Sequence, residues 1–100
     1  MQVKTLLDVA LTDTEQTETL TGKRWYIEHI IISKITSSTG NITLKFAGNE
    51  HFSSYSLDEE EPQVFSMPFP YVLEDGESFA YEADANNKFR VALIGTEEVI

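Results

Sequence analysis

One hundred residues suit a single domain, spanning 1–100, with one buried core. The lack of cysteine excludes disulfides and thiolate metal sites, and no apolar run approaches the ~18 residues of a membrane-spanning helix. Seventeen acids against seven bases give a net charge of −10, which argues against nucleic acid and anionic bilayers as partners.

The charge excess is local. No Lys or Arg lies between Lys45 and Lys88, a stretch that contains ten of the acids, from Glu50 to Asp84. Outside it, acids and bases balance at seven each. One reading is solubility alone; the sharper one is an acidic face that docks on a basic partner.

Along the chain the apolar period is two, the period of a half-buried strand. The N-terminal "MQVKTLLDVALTD" has an apolar stretch broken by Asp8, so no signal-peptide core is expected. Within it, Leu7, Val9 and Leu11 share a face. A short strand is expected near Thr17 to Thr21. "RWYIEHIIIS" breaks the alternation, because Ile30, Ile31 and Ile32 are consecutive. Either this strand is covered on both faces, which needs a second chain, or a bulge resets its register.

"SSTGN" (Ser37 to Asn41) predicts a hairpin into "NITLKF", where Ile42, Leu44 and Phe46 share a face. "AGNE" predicts the next turn. Further strands are expected at His51 to Leu57 and Gln63 to Met67, with Pro62, Pro68 and Pro70 as breaks or edges. "EDGE" separates "YVL" from "SFAYE", and its acids are expected to face water. "DANNK" (Asp84 to Lys88) joins the last two strands, its asparagines tolerating positive φ. In "KFRVALI", Phe89, Val91 and Leu93 point inward. No helix longer than a turn is predicted. The fold class is all-β, an antiparallel β-sandwich or jelly roll of about eight or nine short strands.

Catalytic chemistry finds little footing, and the chain reads as no enzyme. The carboxylates of Asp58 to Glu61 and Glu74 to Glu77 fall in predicted loops without a cleft between them. "LDEEEP" lacks the spacing and glycine of a calcium loop. His29 and His51 have no metal-ligand spacing, and no GxSxG elbow or phosphate loop occurs. No cofactor and no metal are expected.

Aromatic side chains offer a route to binding. Trp25 and Tyr26 are adjacent, so they point to opposite faces of a strand. One is expected in the core and the other exposed or covered by a partner. Tyr55 and Tyr71 are further candidates, and with Trp25 they offer the stacking platforms of a carbohydrate-binding module. The isoleucines beyond the core's needs, Ile31 among them, complete the expected partner-binding set.

The order of motifs carries a resemblance. "TETLTGKRWYI" leads into "IEHIIISKIT" and "NITLKF", and near the end "YVLEDGESFAYEA" precedes "NKFRVALIGTEE". This resembles the small β-sandwich structural proteins of tailed-phage virions, which often carry a leucine–acid–glycine–acid turn and a last strand ending near Gly and Glu. The matching residues are Leu73, Glu74, Asp75, Gly76 and Glu77, then Gly95, Glu97 and Glu98. Glu77 stands where an aspartate is usual. The resemblance implies a jelly-roll-like module, often a homotrimer, made in the host cytoplasm and housed in the virion. Its partners would be other virion proteins. A capsid decoration or cement protein on the major capsid protein is the first expectation, and a tail or baseplate subunit the alternative. It implies no catalytic residue.

Overall fold

The computed structural model describes residues 2–35, 40–57, 63–86 and 88–100, and the side chains of all of these except 51–57 and 67–69. Eight strands follow one another: β1 (Lys4–Ala10), β2 (Gln16–Thr19), β3 (Lys23–Lys34), β4 (Gly40–Phe46), β5 (Asn49–Leu57), β6 (Gln63–Leu73), β7 (Ser78–Ala83) and β8 (Phe89–Val99). They form two four-stranded antiparallel sheets, in the orders β1-β8-β3-β6 and β2-β7-β4-β5. These orders are those of a jelly roll, in which the chain passes repeatedly from one sheet to the other. Among the described residues there is no helix.

The core lies between the sheets. Trp25, Ile27, Ile30 and Ile32 of β3 meet Ile42, Leu44 and Phe46 of β4, with Phe79 of β7 and Phe89, Val91 and Leu93 of β8, all essentially inaccessible to water. The Phe46 ring centroid lies 4.8 Å from that of Phe79 and 5.1 Å from that of Tyr71, within the range of favourable aromatic pairs.

The isoleucine run is resolved by a bulge. Ile27 pairs with Gly95 and His29 with Ile94, so Glu28 is an extra residue relative to β8. This switches the inward phase from Trp25 and Ile27 to Ile30 and Ile32, and Ile31 points to the outer face. Gly95 sits opposite the bulge, where a Cβ would collide with the Tyr26 carbonyl. A glycine in a strand interior often marks such an approach.

Two expectations about connections are corrected. The segment before β4 is not a hairpin, because β3 and β4 belong to different sheets; residues 37–39 of "SSTGN" lie outside the described residues. The connections through "EDGE" and "DANNK" likewise cross between sheets. Turn residues signal a reversal but not which layer receives the next strand. The hairpin that does form joins β4 to β5 through Ala47 (φ 52°) and Gly48 (φ 82°), with Phe46 paired to Asn49. Two positive φ angles in a two-residue loop define a type I′ turn. Asn86 has no positive φ; its Oδ1 accepts the Asp13 N–H at 2.8 Å.

The strands expected at Gln63 to Met67 and at "YVL" are one, β6. Pro68 and Pro70 do not end it, because β6 is an edge strand and residues 67–70 fall in a register shift against β3. Three strands, β3, β6 and β8, are longer than the short ones expected. Pro62 lies outside the described residues.

Candidate interaction surface on one sheet

The outer face of β1-β8-β3-β6 follows from the register. Residues alternating with the buried ones point outward, giving Tyr26 and Ile31 on β3 and Ala92, Ile94 and Thr96 on β8. Ile31 pairs with Ala92 on one side and Val64 on the other, and Tyr26 with Thr96 and Val72. Val64 is 58% exposed and Val72 38%. The result is two apolar patches, Tyr26 with Val72 and Ile31 with Val64 and Ala92, with the polar pair His29–Ser66 between them.

Polar groups flank these patches and separate them. At one end Arg24 Nε lies 3.0 Å from both carboxylate oxygens of Glu74, and its Nη1 donates to Glu98 Oε1 at 2.6 Å. The Tyr26 hydroxyl donates to the same Glu98 oxygen at 3.0 Å. Hydrogen bonds to Tyr26, Glu74 and Glu98 hold the Arg24 guanidinium protonated more firmly than a free one. Toward the other end, Arg90 Nε donates to Asp8 Oδ1 at 2.8 Å. In the middle, the bulge places Glu28 and His29 side by side between the inward Ile27 and Ile30. His29 Nδ1 lies 2.9 Å from Ser66 Oγ.

The opposite sheet presents a different exterior. Thr17, Thr19 and Ser78 line it, and Thr19 and Ser78 share a hydrogen bond of 2.8 Å. Lys45 bonds Glu15 at 2.9 Å, and this raises its pKa, with smaller effects from the charges of Glu50 and Glu82.

The expected binding residues divide between surface and core. Tyr26 and Ile31 share the outer face of this sheet, on either side of the bulge at Glu28. Trp25 does not: it is 1% exposed, its indole N–H donates to Glu97 Oε1 at 3.0 Å, and Lys23 Nζ stands 5.3 Å from its ring centroid. Tyr71 packs on Phe46, and desolvation raises its pKa. Trp25 therefore offers no face to a partner, whereas Tyr71 is half-buried. Alternation allowed either Trp25 or Tyr26 inside; the larger apolar ring took the core. The side chain of Tyr55 lies outside the described residues, as do the side chain of His51 and residues 58–61. Val64, Val72, Ala92 and Ile94 were missed as surface residues; the three consecutive isoleucines were the signal that one apolar position in this sheet faces out.

Of the acids of "EDGE", Glu74 and Asp75 are exposed as expected and Glu77 is half-buried, and all three also make bonds. Glu74 pairs with Arg24, Asp75 Oδ1 accepts the Gly22 N–H at 2.7 Å, and Glu77 Oε1 accepts the Glu74 N–H at 2.8 Å. They pin the connection from β6 to β7, where Gly76 takes φ 88°. Glu74 to Glu77 precede β7, Glu82 lies within it and Asp84 follows it. Among the described residues there is no internal pocket and no cluster of His, Asp or Glu placed to hold a metal ion.

No protein-family model matches the chain, and no curated protein matches its sequence. The fold and surface define the class, a jelly-roll β-sandwich whose β1-β8-β3-β6 exterior exposes a few apolar residues among polar ones.

Proposed function

We propose that the chain is a non-enzymatic structural protein of a virion, a capsid decoration protein that binds across capsid subunit boundaries. The observation that supports the adhesive part is the exposure of Val64 and Val72, beside Ile31 and Tyr26, on the outer face of β1-β8-β3-β6. An apolar patch on a soluble surface marks a contact site. The virion part rests on the resemblance carried by Leu73 to Glu77 and Gly95 to Glu98. The jelly roll is compatible with it, although lectins and other proteins share this architecture and fold alone does not fix function.

The mechanism is mass action. A protein that binds the assembled shell and not its loose subunits stabilises the shell by the free energy of binding. As a homo-oligomer, with a trimer the form implied by the resemblance, it would engage several lattice points at once and gain avidity from weak single contacts.

Co-sedimentation with capsids stripped of decoration proteins tests the reading. Saturable pelleting and a higher capsid melting temperature are expected. A chain that stays in the supernatant would reject it, and pelleting with purified tails alone would move the assignment to a tail or baseplate subunit.

A further inference from the structure

We propose that the free edge of β1 is a strand-addition site, taking an extended segment of another protein whose apolar residues alternate with lysine or arginine. The site lies on the rim of the sandwich and leaves the outer face of β1-β8-β3-β6 open, so it adds a second contact to the adhesive reading above and does not depend on it.

β1 has β8 on one side, and among the described residues no strand lies on the other. The Leu11 N–H donates to the Phe89 carbonyl at 2.8 Å. Ladder bonds of an antiparallel pair alternate along the strand, so Val9 and Leu7 also bond toward β8, while the N–H and C=O of Asp8 and Ala10 point to the open side. Leu7 to Ala10 pair with Leu93 to Arg90 without a break, because the register shift of β1 lies before them. The other three edges are guarded. β6 carries Pro68, Pro70 and a register shift, β5 has two register shifts, and β2 is four residues long. Such features keep strand edges from pairing. The charges of β1 do not guard its edge, because Lys4 is held by Glu97 and Asp8 by Arg90, both on β8.

Side chains and charge specify the occupant. Leu7 and Val9 face inward with Leu93 and Val91, yet they are half-buried where those partners are fully buried. A strand laid beside β1 would cover them with every second side chain, which asks for apolar residues at alternate positions. Its intervening residues would point outward beside Asp8, on a chain of net charge −10, where cations are favoured. A second copy pairing edge to edge would instead bring two chains of this charge together.

A short peptide of alternating valine and lysine, blocked at both ends, is the probe, with amide hydrogen exchange followed by NMR. Saturable binding with a Kd at or below about 1 mM is expected. Exchange at Asp8 and Ala10 should slow, and exchange at Thr17 and Thr19 of β2 should not change. Ala10→Pro removes an N–H on the open side of an edge strand, where proline is tolerated, and should weaken binding at least about tenfold. Thr17→Pro on edge strand β2 should leave binding intact. N-methylation along one edge of the peptide should abolish binding, and this arm needs no variant of the protein. Circular dichroism melts confirm that each variant folds. Equal binding by a peptide of the same composition with its valines grouped at one end would overturn the proposal, since charge alone would then suffice. So would binding that leaves exchange at Asp8 and Ala10 unchanged, or exchange at these amides already slow in the free chain. None of these outcomes bears on pelleting of the unaltered chain with capsids, so the two readings fail separately.

Discussion

Trp25 and Glu97 tie the core to the rim of the sandwich, the indole N–H donating to Oε1 at 3.0 Å. The ring is buried, so its N–H depends on this acceptor. Glu97 also takes Lys4 of β1 at 3.1 Å, and Lys23 stands 3.8 Å away. One carboxylate thus links β1, β3 and β8. Glu97→Leu leaves the indole N–H without a partner and should cost about 1–3 kcal/mol. Glu97→Gln keeps an acceptor and should cost less. Urea titrations followed by the fluorescence of Trp25, the single tryptophan, measure both.

Glu97 also predicts the acid limb of stability. The hydrogen bond from Trp25, then that from Lys4, hold its carboxyl below its ordinary value of 4.5. A depressed carboxylate contributes stability above its unfolded value and loses it as pH falls through the folded one. Stability should drop below about pH 4.5, and Glu97→Gln should flatten that slope. Lys45, raised by Glu15, and Tyr71 and Tyr81, raised by desolvation, act on the other limb. Their contribution is present below about pH 10 and is lost as pH rises through their folded values. Melting temperature against pH reads both limbs.

Gly95 allows the bulge in β3. Gly95→Ala places a methyl group into the Tyr26 carbonyl, a backbone atom that cannot rotate away. The strands must separate, and a loss of at least about 3 kcal/mol is expected. A denaturant midpoint equal to that of the unaltered chain would contradict the bulge as described.

Neighbouring isoleucines test the phase of the same strand. Ile30→Ala opens a cavity in the core and should cost about 2–5 kcal/mol. Ile31→Ala removes a half-covered surface side chain and should cost under about 1 kcal/mol. Equal losses would mean that the bulge lies elsewhere.

Ala47 holds φ 52° in the β4–β5 turn. A left-handed conformation costs an alanine about 1–2 kcal/mol, and asparagine tolerates it better. Ala47→Asn creates the Asn-Gly pair favoured in type I′ turns and should stabilise the fold by about 1 kcal/mol. Ala47→Val should destabilise it. Thermal melts of the two variants, moving in opposite directions, check this.

The layered β architecture was legible because period-two alternation and turn residues are local signals, as in "NITLKF" and around Gly76. Which sheet receives each strand was not legible, since a reversal looks the same in a hairpin and in a crossing between layers. The bulge at Glu28 was half legible. Three isoleucines announced a break in phase, but its position depends on Gly95, some seventy residues away in sequence. The outward apolar patch needed that register, because Val64, Ile31 and Ala92 become neighbours only once β6, β3 and β8 are aligned.

The position of β8 between β1 and β3 constrains how the chain can be made. Synthesis supplies β8 after every other strand, yet β1 has no other neighbour in its sheet. A nascent or truncated chain ending before Phe89 therefore carries two open strand edges and lacks Phe89, Val91 and Leu93 from its core. Such edges invite pairing with other chains. Loss of the final dozen residues should accordingly yield aggregates rather than a smaller, weaker sandwich, and late frameshifts should be as damaging as early ones.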